Sequence, residues 1–307
     1  MPEPVIFVRG LRKSYGDTDA VRGIDIEVER GEIFAFVGPN GAGKTTTVEI
    51  LEGYRRRTAG DASVLGVDPA SAGREWRERV GIVLQQCRMQ PELTVRETVE
   101  LYAGYYRRPR PARETIELVG LAGKLDARTG KLSGGQQRRL DVALALIGDP
   151  ELVFLDEPTT GFDPSARRHA WEVIASLRAL GKTVFLTTHY MEEAQALADR
   201  VAIIVEGGIV AAGPPDELGG RDDAAEVSFR LPEGVAIADL PAAARSAAQK
   251  ANGLVAFRTE RPVEALNELT GWALDRRIAL MDLEVRRPSL EDVYLRLTAD
   301  SDPGEEQ

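Results

Sequence analysis

Four short stretches of this sequence carry residues whose types and spacing could do chemistry together. In Gly38-Pro39-Asn40-Gly41-Ala42-Gly43-Lys44-Thr45-Thr46, Gly38 is followed after four residues by Gly43, Lys44 and Thr45, the pattern of a phosphate-binding loop. Glycines let the backbone curl until its N–H groups converge on an anion, and a helix opening at Lys44 adds its partial positive charge. Lys44 would then reach the β- and γ-phosphates, and the Thr45 hydroxyl would ligate Mg²⁺. Asp156-Glu157-Pro158 closes an apolar run. A carboxylate at Asp156 would hold Mg²⁺ through its hydration shell, and Glu157 would act as general base or orient the attacking water. Ser133-Gly134-Gly135-Gln136 is a capping-box pair enclosing two glycines, so this helix start is also an anion site. His189 ends a second apolar run just after Thr187 and Thr188, whereas His169 reads as a surface residue within a helix.

These residues need elements to position them. Ile33–Val37 reads as a buried strand leading into the glycine turn, and the helix from Lys44 should end near Gly53. Leu152–Leu155 and Thr183–Thr188 are continuous apolar runs, the pattern of parallel strands covered on both faces. Val80–Leu84 is a further strand running into Gln85-Gln86. Val5–Val8 and the alternating Val21–Glu29 read as strands, with Lys13-Ser14-Tyr15-Gly16 as a turn, and Val64–Val67 as another short strand. Thr94 with Glu97 caps a helix running through Tyr106, whose Tyr102, Tyr105 and Tyr106 read as packing. A helix over Ala112–Leu118 and a loop over Gly123–Gly130 follow. The helix capped by Ser133 buries Leu140, Ala143, Leu144 and Ile147, and Asp163-Pro164 opens a helix that ends at Gly181. Strands alternating with helices mark an α/β fold with a largely parallel sheet, in which ligands gather at the carboxyl ends of the strands.

Composition shifts near Gly219-Gly220-Arg221. Beyond it the expected order is strand 226–231, helix 240–250, strand 254–259, helix 263–275, strand 279–286 and a helix from Ser289 to Leu297, a small α+β domain with an acidic tail. The 307 residues suit one large or two modest domains. With 43% hydrophobic and 29% charged residues the composition is that of an ordinary globular protein. The net charge of −10 argues against a general nucleic-acid or anionic-lipid surface, and Arg55-Arg56-Arg57 reads as a solvated helix end. Cys87 is the only cysteine, so no intramolecular disulfide can form. The Met1-Pro2-Glu3-Pro4 start lacks a signal-peptide layout, and no apolar run approaches the ~20 residues needed to span a bilayer. Another chain would therefore make any membrane crossing.

Over roughly residues 1–220 the chain resembles an ATP-binding cassette (ABC) ATPase subunit, on GPNGAGKTT at 38–46, LSGGQ at 132–136, LVFLDEP at 152–158 and His189. LSGGQ separates this family from other phosphate-loop proteins. The resemblance implies a phosphate-loop α/β domain over 1–220, a helical subdomain over about 87–148, and a small C-terminal α+β accessory domain over 221–307. It implies ATP and Mg²⁺ as ligands, bound along Gly38–Thr46. In this family the Ser133–Gln136 turn takes the γ-phosphate held by an opposite subunit, so two chains pair head to tail with two ATP molecules between them. The resemblance also assigns His189 to sensing the γ-phosphate, Tyr15 to stacking on adenine, and Asp163 to communication between paired sites. Gln85, with Gln86 as a competing assignment, would touch Mg²⁺ and couple to a membrane subunit. The family more often has leucine where this chain has Phe162, a hydrophobic exchange.

Within that family, EILEGYRRRTAGDASVLGVDP at 49–69 and RRPSLEDVYLRLTAD at 286–300 look like bacterial drug- and antibiotic-resistance exporters, whose ATPase is a chain separate from its membrane permease. The alternative is a soluble ABC ATPase acting on ribosomes or DNA. Such proteins normally carry tandem cassettes or coiled-coil or zinc insertions, and this chain has none of these. A nucleotide-binding regulator without turnover is disfavoured by Glu157 and His189.

Overall fold

The computed structural model describes residues 3–83, 89–219, 225–232, 234–249, 253–286 and 290–299. Two compact units divide the chain, Met1–Pro215 and Asp216–Gln307. The single turn of helix α8 (Pro215–Gly219) lies where the chain passes from one to the other.

In the first unit a six-stranded sheet has the order β5 (Val80–Val83), β6 (Leu152–Asp156), β7 (Thr183–Thr188), β3 (Ile33–Val37), β8 (Arg200–Val205), β9 (Gly208–Gly213). All pairings are parallel except that of β9, which hairpins back on β8. The apolar runs are continuous because successive side chains enter different cores. Phe34, Phe36, Phe154, Phe185 and Ile204 face one side, and Ile33, Val153, Leu155, Val184 and Leu186 the other. On the first side Phe185 lies 5.5 Å from Phe34, 5.6 Å from Phe154 and 5.8 Å from Phe36, an aromatic row across three neighbouring strands. That core is closed by an antiparallel sheet of β2 (Thr18–Val28), β1 (Ile6–Tyr15) and β4 (Ala59–Val64). The opposite core is covered by α3 (Val95–Ala103), α4 (Ala112–Leu118) and α5 (Gly134–Leu146). The remaining helices of this unit are α1 (Lys44–Leu51), α2 (Arg74–Glu78), α6 (Pro164–Ala179) and α7 (Met191–Leu197).

The α/β class and the parallel sheet are as the sequence indicates. Several boundaries differ. Lys13, Ser14 and Tyr15 belong to β1, paired to β2 down to Tyr15 opposite Thr18, and the turn starts only at Gly16. The strand expected at Val64–Val67 ends at Val64, because Leu65 and Gly66 both take positive φ and turn the chain. The loop expected at Gly123–Gly130 contains 3₁₀ turns at Ala122–Lys124 and Thr129–Lys131. The α2, α7, β8 and β9 elements have no counterpart among those read from the sequence. Leu84, Gln85, Gln86 and Cys87 lie outside the described residues.

The second unit is an antiparallel sheet ordered β11 (Ala248–Gln249), β12 (Leu254–Thr259), β10 (Ala225–Arg230), β13 (Met281–Arg286), with α9 (Pro262–Asp275) and α10 (Leu290–Ala299). Val227, Phe229, Val255, Phe257, Leu240 and Leu269 share its core. Among the described residues of the helix expected over 240–250 no α-helix forms. Pro241 starts a 3₁₀ turn at Ala242–Ala244, and Ala248 pairs with Ala256, so sheet formation overrides the helical propensity of the alanines. Ser289, the expected cap of the last helix, lies outside the described residues.

Candidate active site

Parallel pairing brings the ends of three strands level. Val37 is opposite Thr188 on β7, and Asp156 on β6 is opposite Thr187. The glycine turn after β3, the Asp156-Glu157 pair and His189 therefore emerge side by side at one edge of the sheet. This is where open α/β sheets place their ligands.

The glycine turn depends on the absence of side chains at two positions. A Cβ on Gly38 would stand 2.2 Å from the Ile204 carbonyl oxygen, and one on Gly43 would stand 2.4 Å from that of Ala20. Gly43, the N-cap of α1, also has φ of 102°. Gly41 has φ of 82° but open space around it. The Ala42 carbonyl accepts from Gly207 N, and the Thr47 hydroxyl returns a hydrogen bond to Gly43 O. Pro39 is half-buried, Asn40, Gly41 and Thr45 are exposed, and Thr46 is half-buried. Lys44 is only 6% exposed, and its ammonium folds back to donate to Gly38 O at 2.7 Å and Pro39 O at 3.0 Å. Burial lowers its pKa, while the charges of Glu157 and Asp156 act the other way. An ammonium bonded among the described residues to two carbonyls, with two carboxylates in electrostatic range, occupies a position where an anion could replace those carbonyls.

The opposite wall is made of side-chain bonds. Asp156 Oδ1 accepts from the Thr187 hydroxyl at 2.5 Å. Glu157 has φ of 45°, a left-handed conformation that is uncommon for a non-glycine residue and is found at functional sites. Its N–H is held by Thr187 through both the carbonyl (3.1 Å) and the hydroxyl (3.0 Å). Its carboxylate accepts from the Thr160 hydroxyl at 3.1 Å and lies 3.5 Å from His189 Nδ1. His189 in turn rests on Tyr190, ring centroids 4.1 Å apart, with the Arg167 guanidinium 4.1 Å from the Tyr190 ring. Asp163 caps α6 with hydrogen bonds from Ser165 N and Ala166 N, each 2.9 Å, and these hold its carboxyl below the usual carboxylate range.

Ser133 and Gln136 form the capping box at the start of α5, the Ser133 hydroxyl accepting from Gln136 N at 3.3 Å. This turn, with Gly134 and Gly135, shares an open cavity of about 810 Å³ with Glu157, Thr160 and Asp163, and the phosphate loop does not line it. Tyr15 stands at the end of β1, 42% exposed, with Lys13 Nζ 4.9 Å and the Arg55 guanidinium 5.3 Å from its ring. The structure thus brings Lys44, Asp156, Glu157 and His189 to one edge, and sets Ser133–Gln136 with Glu157 and Asp163 around a cavity of its own. His169 is exposed, and Tyr102 packs edge-on against Tyr105. Arg57 is not merely solvated: it forms a paired bridge to Asp68 through two 2.8 Å bonds.

Three residues escape the sequence reading. Arg138, buried on α5, donates to Asp156 O at 2.7 Å and Pro158 O at 3.2 Å. Glu193 on α7 is completely buried. Glu52, at the end of α1, is buried against a cavity of about 300 Å³ that Tyr54, Trp76, Tyr102 and Tyr106 also line. A charged residue on a helix or at its end reads as solvated, and only the fold turns these inward.

Among the described residues no group of three or more His, Cys, Asp or Glu could enclose a metal ion. An exposed hydroxyl at Thr45 and one carboxylate at Asp156 are, however, the hard-oxygen donors suited to Mg²⁺ that keeps its waters and takes its other ligands from phosphate.

Comparison with known proteins gives this arrangement its family. Residues 21–160 match the ABC transporter family, and residues 225–289 match a C-terminal domain described as that of ABC transporter domain-containing protein-like chains. The Nod factor export ATP-binding protein I of Burkholderia lata is 39% identical over 97% of this chain and 98% of its own length. The daunorubicin resistance ATP-binding protein DrrA3 of Streptomyces coeruleorubidus is 38% identical over 98% of both. MJ0796, a bacterial ABC transporter cassette solved as a dimer, superposes with a TM-score of 0.61 at 25% identity, over 68% of this chain and 98% of that one. The chain belongs to the ABC transporter family, as one of its ATP-binding proteins. It is the ATP-hydrolysing, energy-coupling subunit of such a transporter.

Proposed function

We propose that this chain works as a head-to-tail homodimer on the cytoplasmic face of the cell membrane, bound to a separate permease that exports drugs, antibiotics or other hydrophobic compounds. The contact between Glu157 and His189, at adjacent strand ends beside the phosphate loop, carries the hydrolytic reading. The export reading rests on relatives named for Nod factor export and daunorubicin resistance that match nearly the whole chain. Among the described residues no helix is long and apolar enough to cross a membrane, which fits a permease on another polypeptide. No relative above points to the soluble alternative on ribosomes or DNA.

On this reading residues 1–220 are the ATP-binding domain, with the helical subdomain over about 87–148, and residues 221–307 are an accessory domain. The backbone N–H groups of Gly38–Thr46 cradle the phosphates, and Lys44 exchanges its two carbonyl partners for the β- and γ-phosphates. Tyr15 offers its ring to adenine. Thr45, Asp156 and Gln85 would hold Mg²⁺, which supplies charge neutralisation at the phosphate oxygens. Glu157, fixed by Thr187 and Thr160, takes the proton of the attacking water or orients it, and His189 beside it contacts the γ-phosphate. The cavity shared by Ser133–Gln136, Glu157 and Asp163 would receive the nucleotide carried by the partner's phosphate loop. ATP then closes the dimer and hydrolysis reopens it, driving the permease between access states.

Tagged Glu157→Gln protein, purified from detergent-solubilised source cells with Mg-ATP, tests this. The expected result is retained ATP, turnover reduced by about a hundredfold or more, and a polytopic membrane protein as stoichiometric partner. Wild-type turnover overturns the role of Glu157. Ribosomal or DNA-associated partners without a membrane protein overturn the transport reading.

A further inference from the structure

Glu193 is a carboxyl group with no exposed surface, on a helix whose neighbouring positions Met191, Ala194 and Leu197 are all buried and apolar. An apolar residue would fill such a place without desolvating a charge. What the carboxyl does instead is specific. Oε1 accepts from the Thr159 hydroxyl at 2.8 Å and from the Trp171 indole N–H at 3.0 Å. Thr159 lies between Glu157 and Asp163, on the loop that both residues share. Trp171 lies on α6, the helix that Asp163 caps. Glu193 itself is on α7, which opens directly after His189 and Tyr190. One oxygen atom therefore joins the segments carrying Glu157, Asp163 and His189.

The bonds are coupled through that atom. Moving the Glu157 loop or α6 relative to α7 withdraws a donor from a buried acceptor that no water can reach. Arg167 over the Tyr190 ring is a second link between α6 and the His189 segment. We propose that Glu193 is a positioning residue for ATP hydrolysis, its carboxylate holding the Glu157 loop and the Asp163 helix in register with His189. The inference rests on the roles given above to Glu157, His189 and Asp163. Burial pushes the Glu193 carboxyl up from its usual range, and hydrogen bonds from Thr188, Thr159 and Trp171, then the charge of Arg167, oppose that.

Steady-state ATPase measurements on the full chain test it. Glu193→Leu keeps the volume and removes the acceptor; kcat should fall by about tenfold or more while KM for ATP stays within about twofold. Glu193→Gln keeps a carbonyl oxygen for both donors and should restore kcat to within about threefold of wild type. Trp171→Phe should lower kcat in the wild-type background and cause no further loss beside Glu193→Leu. A Leu variant with kcat within about threefold of wild type, or a Gln variant as slow as the Leu variant, overturns the proposal. Should Glu193→Leu fail to fold, Thr159→Val and Trp171→Phe remove the same bonds singly, and wild-type kcat in both also overturns it. Glu157→Gln assayed alongside separates the two levels, since wild-type turnover there sinks the reading of the site and not the coupling at Glu193.

Discussion

The phosphate loop and the segment from Asp156 to Asp163 flank the same sheet edge, yet different forces hold them. The loop is a backbone object: its conformation comes from glycines at positive φ and from close approach to the Ile204 and Ala20 carbonyls, and even its lysine bonds to its own turn. The segment is a side-chain object, tied by Thr187 from β7, Arg138 from α5 and Glu193 from α7. A backbone-built cradle is stiff and suits the binding of an unchanging triphosphate. A segment strung between side chains of separate elements can be moved by any of them, which suits residues that must respond to a partner.

Substitutions at the loop glycines give the largest effects if this contrast holds. Gly43→Ala places a Cβ 2.4 Å from the Ala20 carbonyl in a backbone that alanine rarely adopts. ATP affinity should drop by about a hundredfold or more and stability by about 3 kcal/mol or more, read by nucleotide titration and thermal unfolding. Gly41→Ala, with positive φ but open space around it, should cost only about 1–2 kcal/mol. Equal losses in the two variants would mean that close packing is not what shapes the loop.

Arg138→Met probes the other side. It leaves the Asp156 and Pro158 carbonyls without their donor, so kcat should fall by about tenfold and stability by about 2 kcal/mol, with ATP affinity within about twofold of wild type. An affinity loss as large as the kcat loss would show the two regions to be one mechanical unit and break the distinction.

The same contrast explains what was legible in the sequence. The loop is local, so its glycine spacing could be read directly, as could the strands whose continuous apolar runs feed two cores. The Ser133 and Asp163 caps were equally local, each bonding to N–H groups within three residues. Arg138 and Glu193 were not legible, because their partners lie 18 to 34 residues away and nothing in RRLD or MEEA marks a charge as buried. The segment 240–250 misled for a related reason: its alanines favour helix, and the turn after Pro241 and the pairing of Ala248 and Gln249 with β12 decide otherwise. The α/β class of the first unit followed from the alternation of apolar runs with capped helices.

Glu52 is where the two regions meet, and its titration gives the smallest effect. It sits at the end of the helix that begins in the phosphate loop, and its Oε1 has no hydrogen-bond partner among the described residues. Burial first, then the charges of Asp156 and Glu49, push its pKa up to about 8. The folded protein thus keeps this proton to a higher pH than the unfolded chain, whose glutamates lose theirs near 4.5. Between those two values the folded state binds more protons, so stability falls as pH rises, and the loss is complete once pH passes about 8. Glu52→Gln should remove that slope and gain about 1–2 kcal/mol over wild type near pH 8, with little difference near pH 5, in denaturant unfolding across this range. Asp156→Asn should lessen the slope in the wild-type background, because it removes one of the charges that keeps Glu52 protonated. An unchanged slope in Asp156→Asn would leave burial and the Glu49 charge as the causes and separate the helix of the loop from the Asp156 wall electrostatically as well as mechanically.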